Sequence, residues 1–216
     1  MDDAAREAKW QCARTHRQRM LLALPALLTV IVAVIDGLDV LSQGWYDHVW
    51  LRCGIPAGLL ILCLLLCPHL WQEAWEHLRH GRVTAPAAAL LCGLVALADS
   101  AWCLFLGNCP NLPFAAPAAA LLYLCVCGQY RAARARYDSF RLAQLGGVPP
   151  YVASVTAAGA CKQQGRLESF YRLWQSPDPA ARWQPILTPL YLALATVLAL
   201  VAALAGHQMN RFLWLW

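Results

Sequence analysis

The side chains with the greatest capacity for chemistry are thiols and imidazoles that lie in or beside long apolar segments. Cys67-Pro68-His69 places a soft sulfur next to an imidazole, and a proline frees backbone carbonyls within a helix. Sulfur and imidazole together suit copper or zinc. Cys63 precedes Cys67 by four residues and shares its helix face. This segment is therefore a candidate soft-metal site, with the alternative that Pro68 only bends the helix and His69 faces lipid headgroups.

Two further thiols and one carboxylate lie in other apolar segments. Cys125 and Cys127 are candidate ligands, although residues two apart diverge around a helix and zinc-type sites need four ligands. Packing as small hydrophobes is the alternative for all these thiols. Asp99 is a candidate for an ion path, because a charged group within a span costs about 2.5 to 3.5 kcal/mol on insertion scales. Its alternatives are a protonated side chain bonded to a neighbouring helix or a place near the outer boundary.

The elements that hold these residues are apolar blocks of membrane-spanning length. The 216 residues are 60% hydrophobic and only 13% charged, more apolar than a soluble domain requires. A spanning helix needs about 20 mostly apolar residues. The sequence therefore predicts an all-α membrane protein with five transmembrane helices, arranged as two helical hairpins plus a fifth span. The predicted spans are 20–41, 51–70, 85–106, 112–130 and 186–205, of which the first four form one membrane domain, 20–130.

The basic residues indicate on which side of the membrane each connecting segment lies, because Lys and Arg near span ends stay in the cytoplasm. Of 17 basic residues, all but Arg52 and Arg211 precede span one, join spans two and three, or join spans four and five. This predicts a cytoplasmic basic tail (1–19), a cytoplasmic segment (131–185) and an outer tail or start of a further span (206–216). We expect a multi-pass protein of the plasma membrane with a cytoplasmic N-terminus, the lipid bilayer as partner and no nucleic-acid partner.

Charged and thiol groups near the outer boundary raise two further expectations. Asp36 and Asp39 lie close to the outer end of span one and are expected to be solvated. Of the ten cysteines, Cys53 and Cys109 alone fall at or beyond the outer boundary, where an oxidising compartment could join them. Whether they form a disulfide stays open.

The cytoplasmic connections show two helical patterns. Residues 72–80 are amphipathic and are expected to continue the second helix along the inner surface until Gly81 ends it as a C-cap. Within this turn His77 and His80 flank Arg79, which suits a polar face that meets headgroups. Residues 131–145 look helical, 146–150 break the helix, and the Ser-Pro-Asp-Pro stretch 176–179 predicts a short helix that runs into span five.

The order of these elements resembles that of heavy-metal-transporting P-type ATPases. The resemblance rests on residues 74–82 (AWEHLRHGR), on the span with 90–96 (LLCGLVA) and 99–102 (DSAW), on 118–136, and on 178–189 before the fifth span. In that family a Trp-containing amphipathic turn between the second and third spans is a docking platform for metal delivery. The resemblance implies that role for His77, Arg79 and His80, and a heavy-metal cation as cargo, with no cofactor in this chain.

The sequence also departs from that family where its chemistry lies. There is no Thr-Gly-Glu between spans four and five, no Asp-Lys-Thr-Gly-Thr, and no sixth span with a Cys-Pro-Cys-type motif. Phosphoryl transfer needs a placed nucleophile and a bound metal-nucleotide, so no ATPase activity is expected from this chain alone. The expectation is a truncated N-terminal membrane part that works with a missing catalytic portion. Residues 212–216 resemble the start of a sixth span, but whether the chain is a fragment stays open.

Two other classes of function compete with this interpretation. A free-standing multi-span scaffold or partner-binding module fits the same spans and cytoplasmic segment. An intramembrane enzyme has little support, because no nucleophile and base are paired at a credible spacing. We therefore expect no catalytic residues in this chain.

Overall fold

The computed structural model of the protein describes residues 2–38, 43–107, 114–144, 151–156, 159–164 and 179–206. These residues form seven helices and one β-hairpin. In chain order the elements are α1 (Asp2–Gly37), α2 (Gln43–Asp47), α3 (Val49–Leu65), α4 (Pro68–Arg79), α5 (Ala85–Leu106), α6 (Ala115–Gln144), β1 (Tyr151–Thr156), β2 (Gly159–Gln164) and α7 (Pro179–Ala205).

Three of the described helices are long and apolar enough to cross a membrane. They comprise Arg6–Gly37 of α1, all of α5, and Trp183–Ala205 of α7. The pair α3 and α4 makes a fourth if it is counted as one span broken by a 69° bend. Leucines on these helices stay largely exposed, including Leu24, Leu65 and Leu190. An apolar surface of this extent faces acyl chains in a bilayer, so the chain is a membrane protein.

The helix bounds agree with the predicted spans to different degrees. The third predicted span matches a helix, since α5 has the predicted bounds 85–106. The first helix begins at Asp2, so residues 2–19 of the predicted basic tail are the first half of α1. The second predicted span, 51–70, stops as a straight helix at Leu65. The fourth predicted span, 112–130, falls in α6, which is not among the helices that are apolar enough to cross a membrane. Polar residues from Gln129 onward limit the apolar part of α6 to about 20 Å.

The core lies where α1, α3, α5 and α6 meet. Its fully buried side chains include Leu22, Leu60, Leu122 and Val126, one or more from α1, α3 and α6. Helices α3 and α5 approach closely at Gly93, where an added Cβ would lie 3.1 Å from a methyl carbon of Leu64. α7 contacts α5 and leaves most of its apolar surface exposed. Four helices therefore form the packed bundle, and α7 lies at its edge.

The β-hairpin follows α6 in the predicted cytoplasmic segment. Strands β1 and β2 are antiparallel, with Tyr151 opposite Gln164 and Thr156 opposite Gly159. A two-stranded hairpin alone is marginally stable in water. The described chain is thus helical except for this hairpin, and the predicted helix after residue 131 is confirmed as the second half of α6.

Candidate functional site

The bend between α3 and α4 lies at the Cys67-Pro68-His69 segment. Pro68 is the first residue of α4, and Cys67 before it has non-helical backbone angles. A proline cannot bond to the carbonyl four residues earlier, which here belongs to Leu64. That carbonyl instead accepts bonds from the Trp71 indole Nε1 and from the Cys67 amide, each at 3.3 Å. The bend that the sequence predicts at Pro68 is therefore present, and the Trp71 indole bonds to a carbonyl that Pro68 leaves without its helical partner.

The helix that follows the bend, α4, is strongly amphipathic. Leu70 and Ala74 are buried against the bundle, whereas Trp71, Trp75 and Leu78 are exposed. The exposed face borders a groove of about 630 Å³ between α4 and α5. Trp side chains in such a position are typical of the headgroup layer. α4 is thus a surface helix turned by 69° from α3, and it contains the predicted amphipathic segment 72–80 up to Arg79.

Gly81 ends α4 as the sequence predicts. Its φ is +68°, and its amide donates to the carbonyl of Leu78 at 2.9 Å. The Arg82 amide donates to the carbonyl of His77, also at 2.9 Å. This pair of bonds is the Schellman motif, which a residue in the left-handed conformation permits. The chain then enters α5 at Ala85.

The predicted docking residues lie at the C-terminal end of α4. The guanidinium of Arg79 lies 5.1 Å from the centre of the Trp75 ring. His80 Nδ1 lies 2.7 Å from the Glu76 carbonyl oxygen. His77, Arg79 and His80 therefore occupy the partly or fully exposed end of one surface helix, close to the helix C-terminus that favours positive charge.

The five predicted soft-metal ligands do not come together as one group among the described residues. Cys63 and Cys67 are buried in the core, and Cys67 is close enough to both Cys63 and Cys125 for electrostatic interaction. Cys127 instead contacts Tyr123 one turn away on α6. His69 is partly buried, and its Nδ1 atom has no hydrogen-bond partner among the described residues. No three His, Cys, Asp or Glu side chains of the described part of the chain form a metal-binding group.

A polar contact that the sequence did not suggest joins α4 to α6. Gln129 Nε2 donates a hydrogen bond to Glu73 Oε2, and Gln129 Oε1 is buried without a partner among the described residues. Glu73 is on α4, past the bend. Burial raises the pKa of the Glu73 carboxyl, and nearby His77 opposes that rise. The only sequence signal was Gln129 itself, an amide at the end of an apolar segment.

Aromatic and basic side chains join α1 to α6 at the same end of the bundle. The Tyr130 ring lies 5.3 Å from the His16 ring, centre to centre. The Arg19 guanidinium lies 4.4 Å from the centre of the same Tyr130 ring. The basic half of α1, the surface helix α4 and the basic half of α6 therefore meet at one end, which we call the basic end.

A charged cluster closes the opposite end of the bundle and corrects one expectation. Asp36 is 3% exposed and not solvated. Its carboxylate accepts a bond from Trp45 Nε1 at 2.7 Å and forms an ion pair with Arg52 Nε at 3.2 Å. Trp45 is on α2, which lies between the predicted spans 20–41 and 51–70, and Arg52 is on α3. Asp39 lies outside the described residues.

Asp99 and Cys53 complete the candidates. Asp99 is partly exposed on α5, seven residues or about 10 Å before the end of the helix, so it lies in the half of α5 away from the basic end. The neighbouring Ser100 is buried and bonds to the Ala96 carbonyl at 2.9 Å. Cys53 is buried in α3, and Cys109, with which a disulfide was left open, lies outside the described residues.

Comparison of the chain with protein-family models, with curated proteins and with solved structures found no match.

Proposed function

We propose that this chain is the membrane part of a cation transporter related to the heavy-metal P-type ATPases, and that it does not carry the ATP chemistry itself. The observation that supports this most is α4. It is an amphipathic helix turned by 69° from α3 and closed by Gly81 directly before α5. This is the position, between the second and third spans, at which the sequence resemblance predicts a docking platform.

In this proposal α4 receives a partner at the inner membrane surface. Trp71 and Trp75 anchor the helix at headgroup depth. His77, Arg79 and His80 offer two imidazoles and a guanidinium at its exposed end. The partner is either a carrier that delivers the metal or the catalytic portion of the transporter.

The cation itself is cargo in this proposal. Cys67 lies near both Cys63 and Cys125, and soft sulfur ligands suit copper or zinc. Asp99 offers a carboxylate on α5, farther from the basic end. These groups would serve passing ions, since the described residues form no closed set of metal ligands.

We further propose that the chain has five spans, of which α6 is the fourth. The protein lies in the plasma membrane, with its N-terminus in the cytoplasm. The apolar half of α6 contributes Ala119, Leu122 and Val126 to the same core as the other helices, which supports a place for it at their depth. Arg14, Arg19 and Arg131 gather at the basic end, as retention of basic residues in the cytoplasm requires.

The function is tested on the native protein. An antibody against residues 1–19 is used to isolate the chain and whatever accompanies it from detergent-solubilised native membranes. The isolate is then incubated with γ-labelled ATP, with and without Cu⁺, Zn²⁺ or Cd²⁺. We expect an acid-stable phosphoprotein whose formation depends on one of these ions. Isolation of the chain with no such phosphoprotein under any of the three ions would overturn the proposal.

A second candidate function is a free-standing module that binds a membrane partner. The groove of about 630 Å³ between α4 and α5 favours it, because this groove is lined mainly by Trp and Leu side chains. The same isolation separates the two candidates. A co-isolated membrane protein without phosphoprotein formation, lost when Leu91 or Leu94 is replaced by Gln, would support the module.

A further inference from the structure

A second groove lies at the basic end, between α1 and the α3–α4 bend. Its volume is about 530 Å³. One wall is a stripe of α1 residues spaced by three or four positions, which therefore share a helix face. The other wall is the end of α3 and the start of α4. The lining residues used below are Arg14, Arg17, Gln18, Leu21, Leu65 and Leu66.

The groove is polar at one end and apolar at the other. Arg14, Arg17 and Gln18 supply two guanidinium groups and an amide, with Arg14 also 5.1 Å from the Trp10 ring centre. No carboxylate of the described residues forms an ion pair with Arg14 or Arg17. Leu21 follows Arg17 by one turn toward the membrane interior, and Leu65 opposite is 73% exposed.

The order of these groups along the membrane normal matches a phospholipid. Guanidinium groups form bidentate hydrogen bonds with phosphate oxygens, and the apolar side chains nearer the membrane interior suit acyl chains. The first residue of α4, Pro68, also lines the groove, and α4 has no side-chain cap at this end. A helix N-terminus carries partial positive charge, which adds to the attraction for an anion.

We propose that this groove is a binding site for an anionic phospholipid of the inner leaflet. The lipid phosphate lies between Arg14 and Arg17, and an acyl chain lies along Leu21, Leu65 and Leu66. The proposal rests on the inner placement of the basic end but not on metal transport. Charge complementarity favours an anionic headgroup over a zwitterionic one, since basic pockets between helices at the cytoplasmic side select such lipids.

The test uses the full chain in nanodiscs of phosphatidylcholine with a minor fraction of spin-labelled phosphatidylglycerol. The measured quantity is the motionally restricted fraction of the labelled lipid. We expect Arg14→Gln together with Arg17→Gln to weaken phosphatidylglycerol binding about thirtyfold, because each basic residue near an anionic lipid contributes about fivefold. The same protein with spin-labelled phosphatidylcholine should show no selective restriction.

A matched control removes the same charge at the same end but outside the groove. Arg134→Gln with Arg136→Gln, on the exposed part of α6, should weaken phosphatidylglycerol binding much less than the groove variant does, because neither residue lines the groove. Arg14→Lys with Arg17→Lys should retain selectivity for the anionic lipid, which would show that the Gln variant is not simply misfolded. Equal loss in the α6 control would overturn the proposal.

Free inorganic phosphate is the other ligand that could present phosphate oxygens to Arg14 and Arg17. Inorganic phosphate is added and compared with chloride at matched ionic strength. If the site belongs to a lipid, inorganic phosphate should release the labelled lipid only at concentrations far above that of the lipid, because phosphate has no acyl chain to pack on Leu21, Leu65 and Leu66. Release by phosphate at a concentration comparable to that of the lipid, or restriction of phosphatidylcholine equal to that of phosphatidylglycerol, would contradict an anionic lipid site.

Discussion

At the scale of single residues, two polar contacts at the two ends of the bundle could not be predicted from the sequence. Asp36 and Arg52 are 16 positions apart, and Glu73 and Gln129 are 56 apart. Nothing in the local pattern around any of them specifies its partner. Asp36 looked solvated because it lies near the end of a span, but α2 folds over it with Trp45. Cys63 and Cys67 are buried in the core, a place that also suits thiols that pack as small hydrophobes.

The carboxylate of Asp36 should contribute strongly to stability. Asp36→Ala removes the acceptor for Trp45 and Arg52 and should lower the free energy of unfolding by about 3 kcal/mol, as for breaking a buried pair that keeps some contact with solvent. SDS-induced unfolding in mixed micelles measures it. The control is Asp138→Ala, whose ion pair with Arg134 is exposed and should matter by less than about 0.5 kcal/mol. Equal effects of the two variants would refute the structural role of Asp36.

The Glu73 carboxyl should make stability depend on pH. Because burial raises its pKa, the folded protein holds this proton more tightly than the unfolded chain does. The resulting stabilisation is present below the ordinary pKa of Glu and is lost as the pH rises through the raised value. As the pH rises above the ordinary pKa of Glu, the unfolding midpoint of the wild type should therefore fall relative to that of Glu73→Gln. Replacement of the exposed Glu76 by Gln should not reproduce this divergence.

At the scale of elements, α4 was predicted in part. Proline and glycine have strong local effects, so the bend at Pro68 and the end at Gly81 could be read from single residues. The place where α3 stops could not, because Leu66 and Cys67 are apolar and continue the hydropathy pattern. The indole of Trp71 that closes the bend acts across seven positions, a spacing without any sequence signature.

Gly81 gives the sharpest test of how α4 ends. Gly81→Ala should destabilise the protein by about 1 kcal/mol, because its φ of +68° is strained for any residue with a Cβ, although nothing lies near the added atom. The control, Gly58→Ala within α3, also meets open space and should be neutral or stabilising by up to about 1 kcal/mol. Thermal denaturation in detergent measures both, and a stabilised Gly81→Ala would show that α4 ends differently.

At the scale of the whole molecule, the sequence predicted the helical membrane class and the bounds of α5. Apolar blocks of sufficient length leave few alternatives, because every backbone group in lipid must be bonded within the segment. The status of α6 could not be decided in this way. Its apolar part is short and its charged part continues the same helix, so hydropathy and helix length disagree.

Reporter fusions can decide whether α6 crosses the membrane. With five spans, a fluorescent protein fused after residue 145 should be fluorescent in the cytoplasm, and alkaline phosphatase fused after residue 47 should be active outside. If α6 does not cross, the fusion after residue 145 lies outside and only alkaline phosphatase is active there. A fluorescent fusion at the N-terminus is the control, since the basic residues of α1 favour the cytoplasm in both cases.

The ion pair of Asp36 and Arg52 has an electrical consequence. Its two opposite charges lie 3.2 Å apart, so together they carry no net charge through the transmembrane field. A lone cation at that depth would instead feel a pull of up to about 2.3 kcal/mol for each 100 mV of voltage that it traverses. Pairing thus leaves no net charge on which the membrane potential could act at the end of α3 away from the basic end, whereas a neutral residue at position 36 would leave Arg52 as such a charge.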